Sequence, residues 1–256
     1  MKKLILLLAL IGLGIHYSHS QSVKMDTLLG TKGLFSKFKP KEIAANQKLS
    51  FNLKLNYTMK DKTGKTAEAC VYMNTKHGYI GIIQTKKGVD SFHPNGANFN
   101  LMVHSNSMKS LIFSTSKKGK KSVIAMPVAP KNDFKLDNIS IQKEGSSSKK
   151  FTNLNTVGYA YNNGKTNAKD RIVMYLSDAT IAGKYDYKNQ LSYAGMGFYQ
   201  INGKTVLNFC IEKDNMSITL TKIESVAVVL NGSEFKKEEM EGMDQAVEEM
   251  MKKLKK

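Results

Sequence analysis

The 256-residue chain carries a formal charge of +18, with 39 Lys plus Arg against 21 Asp plus Glu, and Arg171 is its only arginine. Phosphate and base recognition favours the planar, bidentate guanidinium, so this lysine-based excess argues against nucleic-acid readout and for diffuse attraction to anionic surfaces. The length suits one large β-rich domain or two small ones, and the only cysteines, Cys70 and Cys210, allow at most one bridge.

The chain opens with Met1-Lys2-Lys3 and an apolar run from Leu4 to Ile15. That run is too short to span a bilayer as a helix and has the shape of a secretory signal. Small residues at Ser18 and Ser20 place the predicted mature start at Gln21, with residues 1–20 removed. No cysteine lies there, so no lipoprotein anchor is expected, and the mature protein should reach the periplasm or the outside as a soluble chain. Residues 25–38 have a loosely helical spacing, with Asp26 as cap, Leu28, Leu29, Leu34, Phe35 and Phe38 as the apolar set, Gly30 and Gly33 against it, and Pro40 as the stop.

Leu49, Phe51, Leu53, Leu55, Tyr57 and Met59 then occupy every odd position, with polar residues between them. A period of two is a strand with one dry and one wet face. Asp61 to Lys65 supplies a turn, since Gly64 can take the positive φ of a tight reversal. Ala69, Val71 and Met73, then Tyr79, Ile80, Ile82 and Ile83, extend an antiparallel meander. Phe92 to Phe99 reads as a loop. Leu111 to Phe113 and Val123 to Ala125 flank a basic hairpin tip at Lys117 to Lys121.

Residues 129–150 turn polar and read as a long surface loop inside one domain. Strand signals return at Asn155–Tyr161, Arg171–Leu176, Leu191–Ile201, Lys204–Ile211, Ser217–Thr221 and Ser225–Leu230, punctuated by Asn163-Gly164, Asn202-Gly203 and Asp214-Asn215. At the end, Met240, Met243, Val247, Met250 and Leu254 form one apolar stripe. Ser233 is its cap, acids crowd its first half and lysines its last, as the helix dipole favours. The expected organisation is a single β-rich domain over 21–256, with an antiparallel sheet over 45–232 and an amphipathic helix over 233–256 covering the dry face.

Catalytic and metal patterns are thin. Gly-Lys-Thr at 64–66, 164–166 and 203–205 lacks the upstream glycine of a phosphate-binding loop, where Met59, Tyr159 and Phe198 stand. All three copies fit turns. His77, His93 and His104 have no close Cys or acidic partner at ligand spacing. Ser146 to Ser148 form no nucleophile elbow, and Asp133 and Asp137 read as solvated surface. The expectation is a non-enzymatic protein with no metal and no cofactor. Cys70 and Cys210 read better as separate thiols than as a bridge, a matter geometry decides.

Three local features carry a resemblance: Tyr57-Thr58-Met59-Lys60 running into Gly64-Lys65, Tyr79 in a following strand, and Thr156-Val157-Gly158-Tyr159. With the export signal, the meander and a terminal helix, they resemble an uncharacterised family of exported bacterial proteins with a LolA/LolB-like half-barrel. Relatives of that kind usually continue the last element to a Cys, where this chain has Tyr161. The resemblance implies a concave side, shared with a helix, that holds a hydrophobic or lipid-like small molecule. Its expected lining is Phe51, Leu53, Leu55, Tyr57 and Met59 from the sheet and Met240, Met243, Val247 and Met250 from the helix. The alternatives are a basic envelope scaffold or adhesion protein touching anionic polymers or membrane surface, and an unrecognised hydrolase.

Overall fold

The computed structural model describes residues 21–22, 43–84, 99–104, 109–127, 142–167, 171–177, 192–193, 196–201 and 204–238. The strands are β1 (Gln21–Ser22), β2 (Lys48–Lys60), β3 (Thr66–Asn74), β4 (Tyr79–Gln84), β5 (Phe99–His104), β6 (Lys109–Thr115), β7 (Lys121–Pro127), β8 (Gln142–Phe151), β9 (Thr156–Asn162), β10 (Val173–Leu176), β11 (Ser192–Tyr193), β12 (Met196–Ile201), β13 (Lys204–Lys213), β14 (Met216–Asn231) and β15 (Lys236–Lys237). They form one sheet in the order β15-β7-β6-β5-β4-β3-β2-β14-β13-β10-β9-β8, with β1 on β14, β12 on β13 and β11 on β12. The two ends of this order do not pair, so the sheet is not a closed barrel. Among the described residues, only the β15–β7 pair is parallel.

Sequential hairpins build β2 to β7, and the seam between the two halves of the chain is the ladder of β2 on β14. The strict alternation of β2 forces its partner to keep step, yet the apolar residues of β14 change phase. Leu220 lies opposite Tyr57, Ile223 opposite Leu55, Val228 opposite Phe51 and Leu230 opposite Leu49. Register breaks at Leu220/Lys222 and Ser225/Val228 each insert one extra residue, which moves the inward set from even to odd positions and back. At the first break the Thr221 hydroxyl donates to the Asn56 carbonyl at 3.1 Å.

The core lies in two main clusters on opposite sides of β3. Leu53, Leu55, Tyr57, Val71, Met73, Ile80 and Ile82 pack against Phe151, Met196, Phe198, Leu207, Phe209, Leu220 and Ile223. Cys70 and Tyr72, which point the other way, join Leu49, Phe51, Tyr79, Leu101, Val103, Leu111, Phe113, Val123, Leu230 and Phe235. The row of β2 thus divides between the two clusters. The cause is local: β2 leaves β3 after the pair Leu53–Met73, and Asn52 bonds Thr75, with its amide donating to the hydroxyl at 2.8 Å and its carbonyl oxygen accepting from the backbone at 2.9 Å. Phe51 then lies over Gly81, where a Cβ would meet its Cε1 at 2.8 Å. Glycine is what permits that crossing.

Three expectations change. No α-helix occurs among the described residues. Ser233 stands in a 3-10 turn, Gly232–Glu234, and the chain continues into β15, where the helix expected over 233–256 should begin. The reason is tertiary: Phe235 is buried against Phe113, with ring centroids 5.1 Å apart, which draws the following backbone onto β7. Residues 239–256, with Met240, Met243, Val247, Met250 and Leu254, lie outside the described residues, as do residues 1–20 and the helical pattern at 25–38. Among the described residues Leu53, Leu55 and Tyr57 of β2 are covered by residues from β8, β12 and β13, and Leu49 and Phe51 by the second cluster. Finally, part of the predicted surface loop is β8, an exposed strand at one end of the sheet, and Phe99 opens β5 instead of ending a loop.

Candidate functional site: a basic cleft between two turns

Pairing Lys60 with Ser217 brings together two hairpin turns distant in sequence. In the β2–β3 turn, Asp61 Oδ1 accepts from the Thr63 hydroxyl at 2.6 Å and from the Thr63 and Lys65 amides at 2.8 and 3.0 Å. Those bonds, the Thr63 hydroxyl foremost, hold the Asp61 carboxyl below its ordinary range. The β13–β14 turn is a two-residue reversal with Asp214 and Asn215 at φ of 49° and 64°, residues whose short polar side chains tolerate the left-handed region.

Between and beside these turns lies a cleft of about 750 Å³. Lys60, Lys62, Thr63 and Gly64 line it from the first turn, and Lys213 to Ser217 from the second. Lys149 of β8, Glu212 of β13, Val173 at the start of β10 and Arg171 two residues before it complete it. Five cations therefore face two carboxylates, Glu212 and Asp214. The single arginine of the chain is among them.

Two of the cations are held by carboxylates: Lys149 by Glu212, and Arg171 by Glu144. The Lys149 ammonium also stands 5.3 Å from the centre of the Tyr175 ring. Burial acts most strongly on Lys149 and lowers its pKa, but the Glu212 hydrogen bond and the charges nearby outweigh it, so the net shift is upward. Burial, then Glu212, pushes the Tyr175 phenol up. Lys60, Lys62 and Lys213 make no ion pair among the described residues.

The residues expected to line an apolar site stand elsewhere. Phe51, Leu53, Leu55 and Tyr57 are at most 1% exposed. The Tyr57 hydroxyl accepts from the Gly197 amide at 2.7 Å. Met59 is half-buried against the first cluster, and the next residue, Lys60, enters the cleft. Cys70 and Cys210 form no disulfide and lie in different clusters. His77 sits in the β3–β4 turn, where its amide donates to Asn74 Oδ1 at 2.7 Å. Among the described residues no group of three or more His, Cys, Asp or Glu is placed to hold a metal ion. Reading the sequence alone missed Lys149, Arg171, Glu212 and Lys213 as a group. The lysine-bearing turns were visible signals, but their convergence depends on the β2–β14 ladder and on the β8-β9-β10-β13 order.

These observations define a mainly β protein, antiparallel apart from one short pair among the described residues, with a basic cleft at one turn cluster. No family model matches the chain, and no curated protein matches it. The crystal structure of an uncharacterized conserved protein from Thermus thermophilus is similar to it, with a TM-score of 0.38 and 7% identity over 76% of this chain and 91% of that one.

Proposed function

We propose that this chain is an exported, non-catalytic binding protein of the cell envelope that takes an anionic ligand in the basic cleft. The observation that carries this reading is the convergence of Lys60, Lys62, Lys149, Arg171 and Lys213 on one concave surface. A single pair of charges 4 Å apart contributes roughly 1 kcal/mol in water and more beside a protein surface. Several such contacts on a chain of net charge +18 favour both capture and steering of an anion. Within the site Glu212 is tied to Lys149, and burial keeps the nearby Cys210 thiol protonated. The signal-like run Leu4–Ile15 supports export.

A second reading keeps the lipid-like ligand and the LolA/LolB-like half-barrel. It draws support from the curvature that carries Leu49, Phe51 and Leu230 over the far side of β3 and β4. It requires the layer of Phe198, Leu207 and Phe209 to part from Leu53, Leu55 and Tyr57, and uptake of a fluorescent fatty acid tests it.

Retention on immobilised polyphosphate and on phosphatidylglycerol vesicles tests the first reading. Binding should fall steeply as salt rises from about 0.1 M to about 1 M, where the screening length shrinks from ~10 Å to ~3 Å. The K60E/K62E/K213E variant should lose most of the low-salt retention, whereas K117E/K118E, on the distant β6–β7 tip, should keep it. Retention that persists unchanged at high salt, or that survives the first variant intact, would overturn the assignment to this cleft.

A further inference from the structure

Resting on that reading, we infer that Glu212 and Glu144 are built-in competitors for the cleft's ligand, and that this ligand is an oligophosphate-type anion whose phosphoryl groups replace both carboxylates, on Lys149 and on Arg171. The two ion pairs come from separate elements. Glu212 lies on β13 opposite Val173 and Ser217, and its carboxylate holds Lys149 from β8. Glu144 lies in the segment of β8 where the register on β9 breaks, between Lys143 and Ser148, and there it meets Arg171 beside the cleft.

Both pairs are open to water. The side chains of Lys149 and Glu212 are 44% and 37% exposed, and those of Arg171 and Glu144 are 36% and 29% exposed. Pairs this exposed contribute little net stability, so exchanging their carboxylates for a ligand's oxyanions costs the fold little. A phosphoryl group offers two oxyanion acceptors to the planar fork of the Arg171 guanidinium. A second phosphoryl group on the same molecule reaches Lys149, and Lys60, Lys62 and Lys213 face the remaining charge from the two turns. The displaced carboxylates stay nearby and repel the ligand. They set an upper limit on affinity and select against anions that bring only one charged group.

Calorimetric titration of the full chain with tripolyphosphate and with orthophosphate, at about 50 mM salt, tests this. Wild type should bind tripolyphosphate the more tightly. Glu212→Gln and Glu144→Gln should each tighten tripolyphosphate binding about fivefold, the factor that removing one nearby like charge gives in water. Glu238→Gln makes the same charge change and frees Lys120, but outside the cleft, and should leave binding as in wild type. Circular dichroism checks that each variant is folded. If wild type binds with the expected salt dependence but neither cleft variant tightens beyond Glu238→Gln, the competitor inference is overturned and the cleft reading stands. Equal affinity for the two probes overturns the two-group requirement. Absence of binding in wild type and in both cleft variants, with column retention unaffected by K60E/K62E/K213E, overturns the cleft reading as well.

Discussion

Cys70 and Cys210 illustrate how position within the sheet sets chemistry at a single residue. Cys210 Sγ lies 3.2 Å from the Thr219 hydroxyl and 3.8 Å from Glu212 Oε1, and Cys70 is enclosed on the far side of β3. Burial dominates both. It pushes each thiol up to about 11, from an ordinary value of 9.0, against the smaller opposing pulls of Lys54 on Cys70 and of Thr219 and Lys149 on Cys210. The folded state therefore holds the proton where the unfolded chain has lost it. The stability tied to these thiols is complete below about 9 and is lost as pH rises through about 11. Urea midpoints should fall over that window by an amount equivalent to about 1.4 kcal/mol per thiol per pH unit, and the Cys70→Ala/Cys210→Ala variant should lack this component. An aromatic disulfide reagent at pH 8 should label neither thiol until urea unfolds the chain. Gly81 gives a second test at this scale. Its added Cβ in Gly81→Ala would press on Phe51 Cε1 at 2.8 Å and Leu101 Cδ1 at 3.0 Å, and this overpacking should cost about 1–3 kcal/mol in urea denaturation.

Among elements, β14 explains most about what the sequence could and could not disclose. β2 was legible because one face is dry and the other wet along its whole length. Its partner read as two strands, Ser217–Thr221 and Ser225–Leu230, because each bulge shifts the apolar phase and breaks the alternation. β8 was not legible as a strand, since an end strand exposed on both faces carries no apolar row. The helical stripe after Ser233 is real as a pattern, but at its start the burial of Phe235 outweighs local helix preference. If the one extra residue at Thr221 is what keeps β14 in phase with β2, inserting an alanine after it should turn either Leu220 and Ile218 or Ile223 and Leu230 away from the core. Loss of cooperative unfolding is the expected outcome. Thr221→Ala keeps the residue count and removes only the 3.1 Å bond to the Asn56 carbonyl, which should cost about 0.5–1.5 kcal/mol. Similar urea curves for insertion and substitution would sink this account of the phase shift.

At the scale of the whole molecule, both the cleft and the second core cluster depend on long-range returns of the chain. The cleft forms because residues near 60 and near 215 meet at one end of the β2–β14 ladder. For that reason individual lysine turns could be picked out from the sequence but their assembly could not. At the other end of the same ladder β14 runs out at Asn231 and the chain turns through Gly232–Glu234 to reach β7. Phe235 then seals the cluster that holds Phe113 and Leu230. Lys121 stands 5.6 Å above its ring and pairs with Glu234, while Lys120 pairs with Glu238 at 2.8 Å. Hydrogen bonds and lysine charge hold both carboxylates below their ordinary range, led by Lys121 for Glu234 and Lys120 for Glu238. Apolar burial and surface charge thus make separable claims on the same junction. If burial dominates, Phe235→Ala should cost about 3–5 kcal/mol, the range for emptying a buried aromatic site, and should lower the melting temperature by roughly 2–4 °C for each kcal/mol. Glu234→Gln and Glu238→Gln should leave the melting temperature unchanged within error, because exposed pairs contribute little. The reverse ranking in thermal melts, with the glutamate variants lost and Phe235→Ala intact, would mean that charge and not the aromatic seal docks this segment on β7.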